Sequence, residues 1–144
     1  MASNFIDDLN RASVLIMMVL IGVLSFMNNI SLTFVIKYLL NGQINYFLKQ
    51  GFKYVMGDDE FPIIGTGTRP NGAINCGNFR DNFFDKNIVP GPATSYGFPS
   101  GHAQSCGFFA TFIHSYFKHN SLIYYPLILY SLYIPYTRLE LGCH

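Results

Sequence analysis

The sequence predicts an all-α protein, a transmembrane helical bundle that crosses a membrane several times with about four membrane-embedded helices. Half of the 144 residues are hydrophobic and only 12% are charged, whereas soluble domains carry about 25% charged residues. Fourteen Phe and ten Tyr add to this apolar character. Apolar stretches of helical length occur on both sides of one long polar segment. We therefore expect residues 1–144 to form a single membrane-embedded domain of an integral, multi-pass membrane protein.

The first apolar stretch extends from Ser13 to Leu40 and is interrupted only by Asn28-Asn29 and Lys37. Because the hydrocarbon core of a bilayer requires about 20 apolar residues of helix, this stretch is either one long tilted helix or two helices that meet at the asparagine pair. The polar residues 3–12 before it are compatible with a short interfacial helix. Residues 43–56 continue the helical pattern.

A long segment, residues 57–98, separates these helices from the rest of the chain and is rich in Gly, Pro, Asn and Asp. Loops of this length are uncommon and usually functional, so we expect it to carry part of a site. Pro99 can occupy the first turn of a helix that runs to about Lys118. Residues 121–136 predict a further apolar helix, bent at its two prolines.

Charge and cysteine content limit the classes of partner. The net charge of +1 gives no general attraction to nucleic acid. The three cysteines are odd in number and show no CxxC spacing, which argues against a disulfide framework or a zinc site. A bridge between Cys76 and Cys143 stays open. We expect no metal and no cofactor.

Three short motifs carry the chemistry: "RP" at 69–70, "PSGH" at 99–102 and "TRLELGCH" at 137–144. Each lies at a predicted helix end or in the adjoining loop, so one face of the bundle can gather them. Guanidinium groups bind phosphate oxygens well, and a helix N-terminus favours an anion. Two histidines beside such a pocket can attack phosphorus and protonate a leaving oxygen. The motifs therefore predict phosphoryl transfer through a histidine.

This order of motifs resembles the type 2 phosphatidic acid phosphatase superfamily, whose pattern is a Lys, then Arg-Pro, then Pro-Ser-Gly-His, then Ser-Arg followed by His and Asp. The resemblance covers roughly residues 45–144. It implies that His144 is the nucleophile and His102 the general acid, without a metal. It also implies a set of phosphate ligands, namely Lys49, Arg69, Ser100, Gly101 and Arg138.

The chain departs from the family pattern in three places. Lys49 precedes Arg69 by twenty positions and Lys53 by sixteen, where the family has seven; we favour Lys49 and keep Lys53 as the alternative. Thr137 stands where the family has Ser. The sequence ends at His144, so the family's Asp four residues later and the last family helix are missing. On this pattern the chain is either a fragment of a longer protein or a degenerate member.

The function implied by the resemblance is an integral-membrane lipid phosphate phosphatase that hydrolyses phosphatidic acid or a related lipid phosphate through a phosphohistidine. The expected partners are the lipid phosphate and the bilayer. An isoprenyl diphosphate phosphatase would use the same residues. The alternative from another class is an inactive membrane scaffold or lipid-binding relative. The substrate's leaving group, the topology and the oligomeric state stay open.

Overall fold

Helices dominate the described part of the chain. The computed structural model describes residues 9–57, 60–61, 65–69, 76 and 96–140. Residues 9–11 are helical. A small antiparallel hairpin, which the sequence did not predict, pairs β1 with β2. The elements in chain order are α1 (Ser13–Met27), α2 (Thr33–Met56), β1 (Glu60–Phe61), β2 (Gly65–Thr66), α3 (Gly101–Phe117) and α4 (Ser121–Glu140). The all-α prediction is confirmed, apart from this hairpin.

The asparagine pair divides the first apolar stretch into two helices. The backbone N–H and the side-chain amide of Asn28 both donate to the Leu24 carbonyl, at 3.1 and 2.9 Å. Asn29 has a φ of 53°, a left-handed conformation that Asn tolerates better than most residues. The chain then reverses, and α2 begins at Thr33. This helix continues without interruption to Met56 and includes the helical segment predicted at 43–56.

The last two helices begin and end close to the predicted positions. Ser100 caps α3, because its hydroxyl oxygen accepts a hydrogen bond from the Ala103 N–H at 3.3 Å. Pro99, joined to Phe98 by a cis peptide bond, therefore lies before the helix and not in its first turn. α4 continues through both of its prolines to Glu140, so that the "TR" motif lies in its last turn.

α3 is the central helix and contacts α1, α2 and α4. The core contains apolar side chains from all four helices, including Met17, Ile21, Tyr38, Phe109, Phe112, Ile113 and Ile134. Full burial of such a side chain stabilises the fold by about 1.5–3 kcal/mol. The Tyr38 hydroxyl donates to the Val14 carbonyl at 2.8 Å, which satisfies the one polar atom of that ring. This core holds α2 and α4 against α3, the helix that carries the "PSGH" motif.

The prediction of a transmembrane bundle with about four membrane-embedded helices is wrong, and with it the prediction of an integral-membrane location. In the described ranges of the chain, no helix combines the length and the apolar character that a membrane crossing requires. The 15 residues of α1 are about 22 Å long, shorter than the roughly 30 Å hydrocarbon core. The 24-residue α2 contains three lysines, and α4 contains Arg138 and Glu140.

The composition was misleading because it sums apolar residues over the whole chain, whereas a span needs them in one uninterrupted helix. Many of these residues lie on the outer faces of short or polar-interrupted helices. Examples on α1, α2 and α4 are Val19, Phe47 and Leu129, which are all exposed.

Candidate phosphate-binding site

Lys49 connects α2 to the segment just before α3. Its ammonium group donates to the carbonyls of Tyr96 and Gly97, at 2.6 and 3.1 Å. The backbone N–H groups of Gly97 and Phe98 in turn donate to the Gly67 carbonyl, at 2.9 and 3.1 Å. Segment 96–98 therefore joins Lys49 to the loop that carries the "RP" motif.

Arg69 lies next to this junction. A Cβ atom added at Gly97 would be 3.4 Å from the Arg69 Cγ, so the missing side chain at 97 lets the arginine stem pack there. Burial, and after it the positive charge of Arg69, lowers the pKa of Lys49 to about 8. Burial also lowers the pKa of Arg69. The positive charge of Arg69 thus disfavours the charged form of Lys49.

Arg138 is the most buried cation of the group, with 1% of its surface exposed. Its Nη2 donates to the Cys76 carbonyl at 2.6 Å. Its Nε and Nη1 are buried and have no hydrogen-bond partner in the part of the chain that the structure describes. Burial lowers its pKa to about 10, and the charges of Arg69 and Arg11 contribute. Two donor nitrogens of a buried guanidinium are therefore unsatisfied among the described residues.

The first turn of α3 supplies the other half of the site. The Ser100 hydroxyl oxygen accepts the cap hydrogen bond, which leaves its proton for another acceptor. His102 is buried, and its Nε2 lies 3.3 Å from the Arg11 carbonyl oxygen. A Cβ at Gly101 would lie 3.1 Å from Asn45 Oδ1. The space expected for a phosphate at Gly101 is therefore partly taken by Asn45.

The structure brings most of the predicted site residues together. The charge of Arg69 lowers the pKa of both Lys49 and Arg138, while the backbone of segment 96–98 leads directly into "PSGH". Lys53 is exposed one turn further along α2, so Lys49 is the better candidate. His144 lies outside the described residues. Within the described ranges, no group of three His, Cys, Asp or Glu side chains could hold a metal ion.

Two residues at the site were missed from the sequence. Asn45 could have been found, because Asn41, Asn45 and Lys49 are spaced four residues apart and form a polar stripe on one face of α2. Arg11 could not, because it acts on His102 through a backbone carbonyl, which leaves no signal in residue type.

The cysteines differ in state. Cys76 is disulfide-bonded, so the odd number of cysteines does not exclude a bridge at this position; Cys143 lies outside the described residues. Cys106 is a free, buried thiol in the core, and burial raises its pKa to about 12. Cys106 is therefore an inert packing residue.

An apolar groove of about 580 Å³ runs along α2 beside Lys49. Its lining consists of Ile44, Phe47, Leu48, Gly51, Phe52, Val55 and Met56. The Phe52 ring also packs edge-on against Phe98, with 4.7 Å between ring centroids. Phe98 lies two residues before Ser100, so one residue of the groove contacts the segment that leads into α3.

Comparison with known proteins gives no relative: no protein-family profile matches the chain, and neither a curated protein nor a solved structure is significantly similar to it.

Proposed function

We propose that this protein binds a lipid phosphate monoester and hydrolyses it through a phosphohistidine on His144, with His102 as the general acid. One observation carries the proposal. Lys49 and Arg69 lie against segment 96–98 just before α3. The charge of Arg69 acts on both Lys49 and Arg138, and burial lowers the pKa of all three. A phosphate dianion in this cluster would offset both the repulsion between the cations and their loss of hydration.

The chemical groups of this cluster suit a phosphate monoester. A phosphate monoester carries a charge of about −1.5 to −2 at neutral pH and three acceptor oxygens. The two buried donors of Arg138 and the hydroxyl proton of Ser100 are directional, and guanidinium groups match phosphate oxygens in pairs. The helix N-terminus adds its partial positive charge.

The proposed reaction has two displacements at phosphorus. A ring nitrogen of His144 attacks phosphorus, the bond from phosphorus to the lipid oxygen breaks, and His102 gives that oxygen its proton. Water then attacks the phosphorus atom and gives a proton to His102, the bond from phosphorus to the His144 nitrogen breaks, and inorganic phosphate leaves. The Arg11 carbonyl beside Nε2 favours a proton on that nitrogen.

The groove along α2 supports a lipid as the leaving group. It is apolar and large enough for part of an acyl chain, and one of its lining residues, Phe52, packs against Phe98 in the segment that Lys49 binds. A phosphate ester with a hydrocarbon tail would place its charge among the cations and its tail along α2. This substrate also agrees with the order of the three motifs.

The test is phosphate release from a short-chain phosphatidic acid in detergent with EDTA present. We expect turnover that EDTA does not affect and that His102→Ala and His144→Ala abolish. The control is His114→Ala. His114 is exposed, and within the described part of the chain its side chain makes one hydrogen bond and one ring contact, both with Tyr124.

Other outcomes would change the proposal. Phosphate binding without turnover would establish the non-catalytic lipid-binding alternative. Higher kcat/KM for an isoprenyl diphosphate would establish the diphosphatase. If the protein neither turns over nor binds phosphate, the proposal is wrong.

A further inference from the structure

We propose that Asn45 is a positioning residue that sets the distance between Lys49 and the first turn of α3. This inference rests on the proposed function, because it concerns the same phosphate site. Asn45 lies in α2 one turn before Lys49 and is 7% exposed. No motif of the sequence includes it.

A chain of three side-chain amides joins α2 to α3. Asn45 Nδ2 donates to Gln104 Oε1 at 2.7 Å. Gln104 Nε2 donates to the side-chain and backbone oxygens of Asn41, at 2.8 and 3.1 Å. Each amide in the chain has a fixed orientation, because donors and acceptors alternate along it. Gln104 is therefore held against α2 by two residues, Asn41 and Asn45, that are one helical turn apart.

Asn45 also touches the residues that begin the helix. Its Nδ2 lies 3.4 Å from the Pro99 carbonyl oxygen, to which it donates a long hydrogen bond. Its Oδ1 would be 3.1 Å from a Cβ at Gly101, so glycine at this position permits the close approach. One side chain thus contacts the residues before and after the Ser100 cap.

These contacts place Asn45 between the two halves of the site. Lys49, one turn after Asn45 in the same helix, belongs to the cationic half of the site. Its ammonium group hydrogen-bonds to the carbonyls of Tyr96 and Gly97. Ser100 and His102 are on the other side of Asn45. Loss of the amide would let α2 and the start of α3 shift relative to each other, and Lys49, which binds the carbonyls of Tyr96 and Gly97, would change its distance from the first turn of α3.

The experiment compares Asn45→Leu with Asn41→Leu, a matched control one turn earlier in the same amide chain. Gln104 keeps the Asn41 backbone carbonyl as an acceptor in the control. The probe is inorganic phosphate, titrated by calorimetry, with kcat and KM for short-chain phosphatidic acid and urea unfolding as parallel measurements. Gln104→Leu removes the same contact from the α3 side, and the prediction is judged on it if Asn45→Leu does not fold.

We expect Asn45→Leu to weaken phosphate binding by about tenfold and to lower kcat by about 10–100-fold, since misplacement by about 1 Å has effects of this size. We expect Asn41→Leu to stay within about twofold of wild type even where its urea midpoint falls equally. The inference is overturned if the two variants behave alike. Wild-type protein that binds no phosphate would instead overturn the proposed function, so the two failures are distinguishable.

Discussion

Phosphate affinity should fall as the pH rises through the pKa of Lys49. In the free protein this pKa is lowered to about 8, by burial first and by Arg69 second, whereas an unperturbed lysine titrates near 10.4. A bound dianion favours the charged ammonium and raises the pKa back towards its ordinary value. The bound protein therefore holds more protons than the free protein, and binding weakens with increasing pH above about 8.

The magnitude follows from the two pKa values. If phosphate restores the pKa fully, its affinity should fall about fivefold between pH 8 and pH 9 and about 40-fold between pH 8 and pH 10. Close to one proton should be taken up for each phosphate bound at pH 9. Calorimetric titrations in two buffers of different ionisation enthalpy measure both quantities, in a range where phosphate itself stays a dianion.

Two variants assign the effect to one side chain. Lys49→Met should weaken binding at pH 8 and leave the remaining affinity nearly independent of pH between 8 and 9. Lys53→Met removes the exposed lysine one turn later and should keep the full wild-type dependence. A wild-type affinity that is constant from pH 8 to 9, or a dependence that survives in Lys49→Met, would refute the placement of Lys49 beside the anion.

The same reasoning gives two further predictions. Arg138→Met should leave the free energy of unfolding unchanged or raise it by up to about 2 kcal/mol, because removal of a buried cation offsets the loss of its hydrogen bond to Cys76. Phosphate should no longer stabilise this variant against urea. Lys37→Met, which removes an exposed charge in α2, is the control and should still be stabilised by phosphate. A large loss of stability in Arg138→Met would mean that the arginine is structural. Gly107→Ala should stabilise α3 by about 0.5–1 kcal/mol, because a Cβ there meets nothing within 4 Å. Gly101→Ala should not be stabilised in this way and should bind phosphate more weakly, because its Cβ would displace Asn45. If Gly101→Ala and Gly107→Ala behave alike in both assays, the close contact between Gly101 and Asn45 is contradicted.

The helices were predictable from local features of the sequence. The Asn28-Asn29 interruption falls where a left-handed residue is tolerated, and Ser100 is a favourable cap directly before a helix. The membrane prediction failed because hydropathy was summed across residues that the fold divides among separate helices. At α2 the same stretch of sequence is apolar on average but carries the polar stripe that faces α3.

The site was predictable only in part, for a physical reason. Arginines such as Arg69 and Arg138 can bind anions, and the order of their motifs along the chain suggested a common site. Their depressed pKa values depend on burial and on distances between segments far apart in sequence. The contact between His102 and the Arg11 carbonyl spans 91 positions, and no local pattern encodes it.

The carbonyl that holds Arg138 belongs to a disulfide-bonded cysteine. Disulfides persist in oxidising compartments and are reduced by the thiol pools of the cytosol. Reduction at Cys76 would free the backbone position whose carbonyl accepts a hydrogen bond from Arg138, while every proposed phosphate ligand would stay chemically unchanged. The proposed binding of an anion at Arg138 would therefore depend on the thiol–disulfide balance of the surroundings.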